Sequence, residues 1–319
     1  MKVGYFLSSE EFTPAELLEQ ARGAEQAGFE ALWISDHYHP WVDAQGQSPF
    51  VWSMIGALSQ VTTLPITTAV TCPTVRIHPA VLAQAAATSA VLHNGRFVLG
   101  VGSGEALNEH ILGDAWPNAD TRLEMLEEAV EVMRALWANP DSFVDHRGKH
   151  YRVENARIYT MPEKPPAVYV SGFGPKAVDL AARIGDGYVS TMPDGDLVRR
   201  FRENGGGDKP AQGGFKACFA PTEDEAVEIA YRRWPNAGVP GELSQVLPSP
   251  RHFEQASQLV PKEKMREAHV CGSDPDAHLE QIAQYAKAGF DEVYVSNIGP
   301  NWAGFFDLYR SSVFPALKR

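Results

Sequence analysis

Apolar and polar positions alternate between two periods along this chain. Short runs rich in β-branched and aromatic residues, Val3–Leu7, Phe29–Ser35, Pro65–Val70, Arg96–Val101, Ala167–Val170, Gly187–Thr191, Phe215–Ala220 and Glu292–Val295, read as strands. Between them the apolar residues recur at helical spacing. Thr13-Pro14 opens a helix whose apolar face is Leu17, Leu18, Ala21, Ala24 and Ala27, and Gly28 ends it. Phe50–Ser59, Pro79–His93, Leu123–Trp137, Lys176–Arg183, Thr222–Arg233 and Asp276–Ala288 carry the same signature, and Phe305–Leu317 closes the chain. Phe143–Tyr159 alternates around Arg147-Gly148-Lys149, the pattern of a small hairpin.

Strand-helix alternation through the whole chain, without a Gly/Ser-rich or charged linker, predicts one α/β domain over residues 1–319, a closed parallel (β/α)8 (TIM) barrel. A doubly wound sheet is the alternative, and the first strand lacks the G-x-G-x-x-G turn that would favour it. From 236 to 250 the chain turns proline-rich and aperiodic, so an inserted lid or substrate loop is expected there.

Charge narrows the partners. Lys and Arg number 28 against 40 Asp and Glu, so the net charge is 28 − 40 = −12, which argues against nucleic-acid and anionic-membrane partners. No stretch approaches the roughly 20 apolar residues of a membrane span, and the first residues carry no targeting signal. Cys72, Cys218 and Cys271 are scattered, and His39, His78, His252 and His269 show no ligand spacing. No disulfide framework or metal is expected, and the setting expected is the cytoplasm.

In such a barrel, chemistry sits on the loops after the strands. Those ends carry Glu10, Asp36-His37 with Trp41 close behind, Val70 to Thr74, Glu105 with Asn108, Ser171 to Gly174, and Thr191. Free imidazole changes charge near neutrality, which makes His37 a candidate general base, with Asp36 as its orienting partner. Trp41 is a substrate wall or an ordinary rim aromatic. Glu105 is placed in the first turn of a helix, after a Gly102-x-Gly104 approach that lets backbone lie close to a flat ligand. Ser171-Gly172-Phe173-Gly174 before a helix is an anion-cradle candidate.

These motifs resemble the luciferase-like barrel superfamily, in its branch using the deazaflavin coenzyme F420, and are most similar to the F420-dependent glucose-6-phosphate dehydrogenases. The resemblance rests on Ser8-Ser9-Glu10-Glu11-Phe12, Ser35 through Trp41, Thr71-Cys72-Pro73-Thr74, Val101 through Glu109, Gly185-Asp186-Gly187 and Ser273-Asp274-Pro275-Asp276. It implies catalytic roles for His37 (base), Trp41 (aromatic at the reacting centre), Glu105 (acid on the coenzyme side) and Glu10. It implies coenzyme contacts at Asp36, Ala69, Val70, Thr71, Asn108, Ser171, Gly172, Phe173, Gly174, Lys176 and Thr191, with a non-prolyl cis peptide at Ala69-Val70. It also implies a homodimer.

One departure matters. The relatives hold a substrate phosphate with cations, yet here the loop after the sixth strand reads Thr191-Met192-Pro193-Asp194, with Asp194 in place of a lysine. Residues 235–250 contain no Lys or Arg, and Ala268 stands where an arginine is expected, with Arg266 nearby. A phosphate dianion facing Asp194 would lose pairing and meet repulsion. The expected substrate is therefore an unphosphorylated sugar, secondary alcohol or hemiacetal. An FMN-dependent monooxygenase and a non-catalytic deazaflavin- or sugar-binding barrel are the competing readings.

Overall fold

The computed structural model describes residues 1–318. In chain order the strands are β1 (Lys2–Leu7), β2 (Leu32–Ile34), β3 (Ile66–Thr68), β4 (Phe97–Val101), β5 (Val144–Arg147), β6 (Arg152–Ala156), β7 (Ala167–Ser171), β8 (Gly187–Ser190), β9 (Ala211–Cys218), β10 (Val270–Cys271) and β11 (Glu292–Asn297). The helices are α1 (Pro14–Ala27), α2 (Val51–Leu58), α3 (Pro79–Leu92), α4 (Ala106–Glu109), α5 (Ala119–Ala138), α6 (Pro175–Ile184) and α7 (Gly195–Phe201). They continue with α8 (Glu223–Arg233), α9 (Leu243–Val246), α10 (Pro250–Ser257), α11 (Lys264–Ala268), α12 (Pro275–Ala288), α13 (Trp302–Leu308) and α14 (Phe314–Leu317).

The sheet runs β11-β1-β2-β3-β4-β7-β8-β9, all parallel, and β9 pairs back to β11. That closes the eight-stranded barrel expected from the alternation. The hairpin β5–β6 stands outside it as an antiparallel pair. α1 begins as expected: Thr13 accepts from the Glu16 N–H and Glu16 bonds back to Thr13, a complete capping box. Gly28 ends the helix in the left-handed region at φ 102°.

Large side chains and glycines fill the barrel interior in complement. Trp33 is fully buried, stacks on Tyr294 at 4.4 Å and 7°, and donates from Nε1 to Gln212 Oε1 at 2.9 Å. A Cβ on Gly214 would stand 2.3 Å from the Trp33 ring, and one on Gly213 would stand 2.3 Å from Tyr285. The two glycines therefore serve opposite faces of β9, one inside the barrel and one under α12. This explains a difference from expectation: β9 starts at Ala211, earlier than Phe215, because glycines hide the β-branched signature.

Other boundaries moved for similar reasons. The second strand is confined to Leu32–Ile34, and the third stops at Thr68 rather than Val70, since the Ala69-Val70 peptide bond is cis. β10 pairs only with the end of β9 and is too short to show a period. α7 went unread because Gly195 and adjacent charges mask its apolar residues, Leu197, Val198 and Phe201. The segment 236–250 contains one α-helical turn, α9, and α10 begins at its end; α9 packs near α4 at the barrel mouth.

Candidate active site

Glu10 follows β1, and its carboxylate is buried. Oε2 accepts from Ser35 Oγ at 2.6 Å, and Oε1 lies 3.4 Å from His37 Nε2. Burial opposes ionisation of Glu10, but His37, Lys216 and the Ser35 hydroxyl together outweigh it and hold its pKa below the ordinary carboxylate range.

His37 leaves β2 with its ring enclosed. Nδ1 stands between the His39 carbonyl at 3.2 Å and Asn108 Nδ2 at 3.1 Å. Asn108 cannot turn around without loss, since its Oδ1 accepts from the Tyr38 and His39 N–H groups at 2.9 and 3.2 Å. Nδ1 therefore has an acceptor when protonated and a donor when not. Trp41 meets the His37 ring at 5.0 Å and is backed by Phe253 of α10, also at 5.0 Å and nearly perpendicular. α10, which begins where the 236–250 segment ends, thus supports Trp41 through a fully buried side chain that sequence reasoning missed.

Asp36 departs from expectation. It does not orient His37. Its two oxygens accept from Arg76 Nη2 and Thr71 Oγ1, both at 2.8 Å, and Arg76 also serves Glu109 through its backbone N–H at 2.7 Å. One cation is shared by two buried carboxylates, and burial pushes Glu109 up to about 7 despite Arg76. Arg76 had no signal in the sequence, because its partners lie far from it along the chain.

Glu105 also shifts slightly. It is the residue before α4 rather than a member of its first turn, it makes no cap bond, and it is partly exposed. Asn108 Nδ2 comes within 3.5 Å of its carboxylate and so stands between Glu105 and His37. The expected cis bond is present at Ala69-Val70. A Cβ on Gly102 would meet Val70 Cγ2 at 2.7 Å and Ser171 Cβ at 3.7 Å, so the tips of β3, β4 and β7 meet there. Gly104 adopts φ 78° over Cys72.

Gly172 is held by Tyr188 Oη, which donates to its carbonyl at 2.7 Å, and Gly174 precedes α6, with Phe173 exposed beside it. Lys176 donates to Asp120 at 2.6 Å on the surface. Thr191 is exposed after β8, and its carbonyl accepts from Tyr285. Asp194 is spent on structure: Oδ1 accepts from the N–H groups of Asp196 and Leu197 at 2.9 and 3.1 Å and caps α7. Lys216 of β9, unremarked in the sequence, donates to Ser8, two residues before Glu10, at 2.9 Å. Among the described residues no cluster of three or more His, Cys, Asp or Glu could hold a metal ion, and no helix is long and apolar enough to cross a membrane.

A parallel barrel carrying two carboxylates and an imidazole at its mouth, beside an apolar strand tip, has the parts of a proton-handling enzyme site on a (β/α)8 scaffold. The chain belongs to the luciferase-like monooxygenase family, whose profile matches residues 1–292. It is 34% identical to the F420-dependent glucose-6-phosphate dehydrogenase of Microbacterium testaceum (strain StLB037), over all of this chain and 98% of that one. Its counterpart from Beutenbergia cavernae is 33% identical over the same shares. Among solved structures, an F420-dependent secondary alcohol dehydrogenase in complex with an F420-acetone adduct superposes with a TM-score of 0.92 at 31% identity, covering 100% of this chain and 99% of that one. The F420-dependent tetrahydromethanopterin reductase of Methanopyrus kandleri shares the fold, with a TM-score of 0.74 at 19% identity over 99% of each chain.

Proposed function

We propose that this chain is a coenzyme F420-dependent oxidoreductase that moves a hydride between the carbinol carbon of an unphosphorylated secondary alcohol or hemiacetal and the deazaflavin. The observation that carries the reading is the constellation at the barrel mouth, where Asn108 stands between Glu105 and a His37 ring that faces Glu10. The apolar tip at Ala69 and Val70, set against Gly102, fits a flat ring, because a side chain at Gly102 would collide with Val70. Asn108 and the Ser171 to Gly174 turn, with Thr191 and Lys176 further out, would hold the rest of the coenzyme. Asp36 acts from beneath, held by Thr71 and Arg76. When bound, coenzyme F420 supplies hydride acceptance or donation at C5.

The chain's own residues handle the proton. With its ring proton on Nδ1 and donated to the His39 carbonyl, His37 has Nε2 free to accept a hydroxyl proton. The imidazolium that forms is stabilised by ionised Glu10, 3.4 Å away. Trp41 walls the site against water. Glu105 is the carboxyl group placed to supply a proton on the coenzyme side.

The substrate class follows from missing cations. Asp194 offers no cation and turns its carboxylate to α7. Arg266 is already paired with Glu223 at 3.0 Å and with Asp224. A cavity of about 490 Å³ at the ends of β9 and β10 is lined by two cations, Arg266 and Lys216, but also by the acids Glu223, Glu267, Asp274 and Glu280. A phosphate dianion would be poorly served there. Purified protein with oxidised coenzyme should bleach the visible deazaflavin absorbance when given propan-2-ol or glucose. Faster bleaching with glucose 6-phosphate than with any unphosphorylated alcohol would overturn the substrate assignment. A cytoplasmic homodimer accompanies the proposal, and a monomer in sedimentation equilibrium would count against it.

A further inference from the structure

Lys216 is a cation beside the reaction centre that the proposed proton transfer does not itself use. It lies on β9, two strands round the barrel wall from β1, is partly buried, and reaches Ser8, two residues before Glu10. Its Nζ sits 3.7 Å from the centre of the Trp234 ring and 4.5 Å from that of Phe6. Its one hydrogen-bond acceptor among the described residues is Ser8 Oγ at 2.9 Å, and Ser8 in turn reaches Ser296 Oγ at 3.2 Å. Trp234 is fixed for this purpose: its Nε1 donates to Glu11 Oε2 at 2.8 Å, and Glu11 Oε1 accepts from the Gly299 N–H at 2.8 Å. Aromatic faces favour a cation over a neutral amine, so the clamp preserves charge at a place where burial works against it.

We propose that Lys216 is a positioning residue of the reaction centre: clamped between Phe6 and Trp234, it keeps Glu10 ionised, and Glu10 thereby holds the His37 ring. The inference rests on the reading of His37 as proton acceptor. The charged and titratable groups facing this pair come from several elements. Glu10 and Glu11 follow β1, His37 follows β2, Lys216 lies on β9, Arg233 approaches Glu11 at 3.9 Å, and His269 precedes β10. His269 is itself buried with neither ring nitrogen in a hydrogen bond, although the Trp234 carbonyl lies near. Burial, followed by the Lys216 charge, lowers its pKa to about 3. His269 is therefore neutral at working pH, and Lys216 is the group from β9 and β10 that supplies positive charge to Glu10.

The test is a titration on the full chain, with and without coenzyme F420, reading the His37 ring by ¹³C NMR after histidine labelling and assigning it by its loss in His37→Gln. Protonation of Glu10 registers as a low-pH step in the His37 signal. Lys216→Met should move that step up by about one pH unit or more, a tenfold change in acid constant. Lys216→Arg, which keeps the charge, should return it to near the wild-type position, and Ser8→Ala should move it in the Met direction by less. The acid limb of propan-2-ol oxidation should move with it. A wild-type low-pH step in Lys216→Met overturns the proposal, as does equal displacement in the Arg and Met variants. If Lys216→Met does not fold, a wild-type titration in Ser8→Ala overturns it. Should propan-2-ol not be turned over at all, the functional reading fails, while the His37 titration still decides the role of Lys216.

Discussion

His37 owes its capacity for proton transfer to having a partner at Nδ1 in either protonation state, Asn108 for the lone pair and the His39 carbonyl for the proton. Removing the ring should be costly. We predict that His37→Ala lowers kcat by about 10²–10⁴-fold, the usual worth of a positioned acid-base group, with a smaller effect on coenzyme affinity. Rapid-mixing absorbance and a binding titration would separate the two. Glu109 makes a second residue-scale prediction. Burial raises its pKa from the ordinary 4.5 to about 7, so its contribution to stability is complete below 4.5 and is lost as pH rises through about 7. Urea unfolding should therefore show wild-type stability declining, relative to Glu109→Gln, between about pH 4.5 and pH 7. A difference independent of pH would mean that Arg76 keeps Glu109 ionised throughout. The sequence exposed His37, Glu10, Glu105 and Asn108 because each stands at a strand end. It did not expose Arg76, whose position relative to Asp36 and Glu109 exists only after folding.

At the scale of elements, α10 and α7 show how the inserted and connecting segments serve the site. Phe253 is fully buried against Trp41, in a small cluster with Val42, Leu107 and Leu247. Phe253→Ala should cost about 3–5 kcal/mol if the segment unfolds with the barrel. It should also let the Trp41 ring move, read as a change in tryptophan fluorescence and a higher KM. Asp194→Ala should remove the α7 cap, for a loss of about 1 kcal/mol in unfolding, without conferring activity on glucose 6-phosphate. Helices were legible where caps and apolar stripes coincide, as in α1. The helices of the 236–268 region were not legible. They are short, and their stability comes from packing on Trp41 and α8 rather than from their own periodicity.

For the whole molecule, barrel closure depends on glycines as much as on the apolar strands. A Cβ at Gly100 would lie 1.9 Å from the Thr68 carbonyl oxygen, a backbone atom that cannot swing aside. Gly100→Ala should thus destabilise the fold by at least the roughly 1–3 kcal/mol typical of overpacking, read as a lower urea midpoint. The alternation of strands and helices carried the architecture, since each barrel strand left its own apolar run. What was hidden at this scale was the first half of β9, whose Gly213 and Gly214 admit Tyr285 and Trp33, and with it the significance of Lys216, the residue after Phe215, where that strand's readable half starts. Complementarity of that kind belongs to pairs of distant residues, and no local pattern encodes it.

The central claim is hydride transfer from a carbinol carbon to the deazaflavin, with His37 receiving the hydroxyl proton. It is tested most directly with propan-2-ol carrying deuterium at its central carbon, mixed with the enzyme and oxidised coenzyme F420. The account predicts bleaching of the coenzyme, deuterium recovered at C5 of the reduced ring, and at least a hundredfold slower transfer in His37→Ala. Bleaching without deuterium in the coenzyme, or an undiminished rate in His37→Ala, would contradict it.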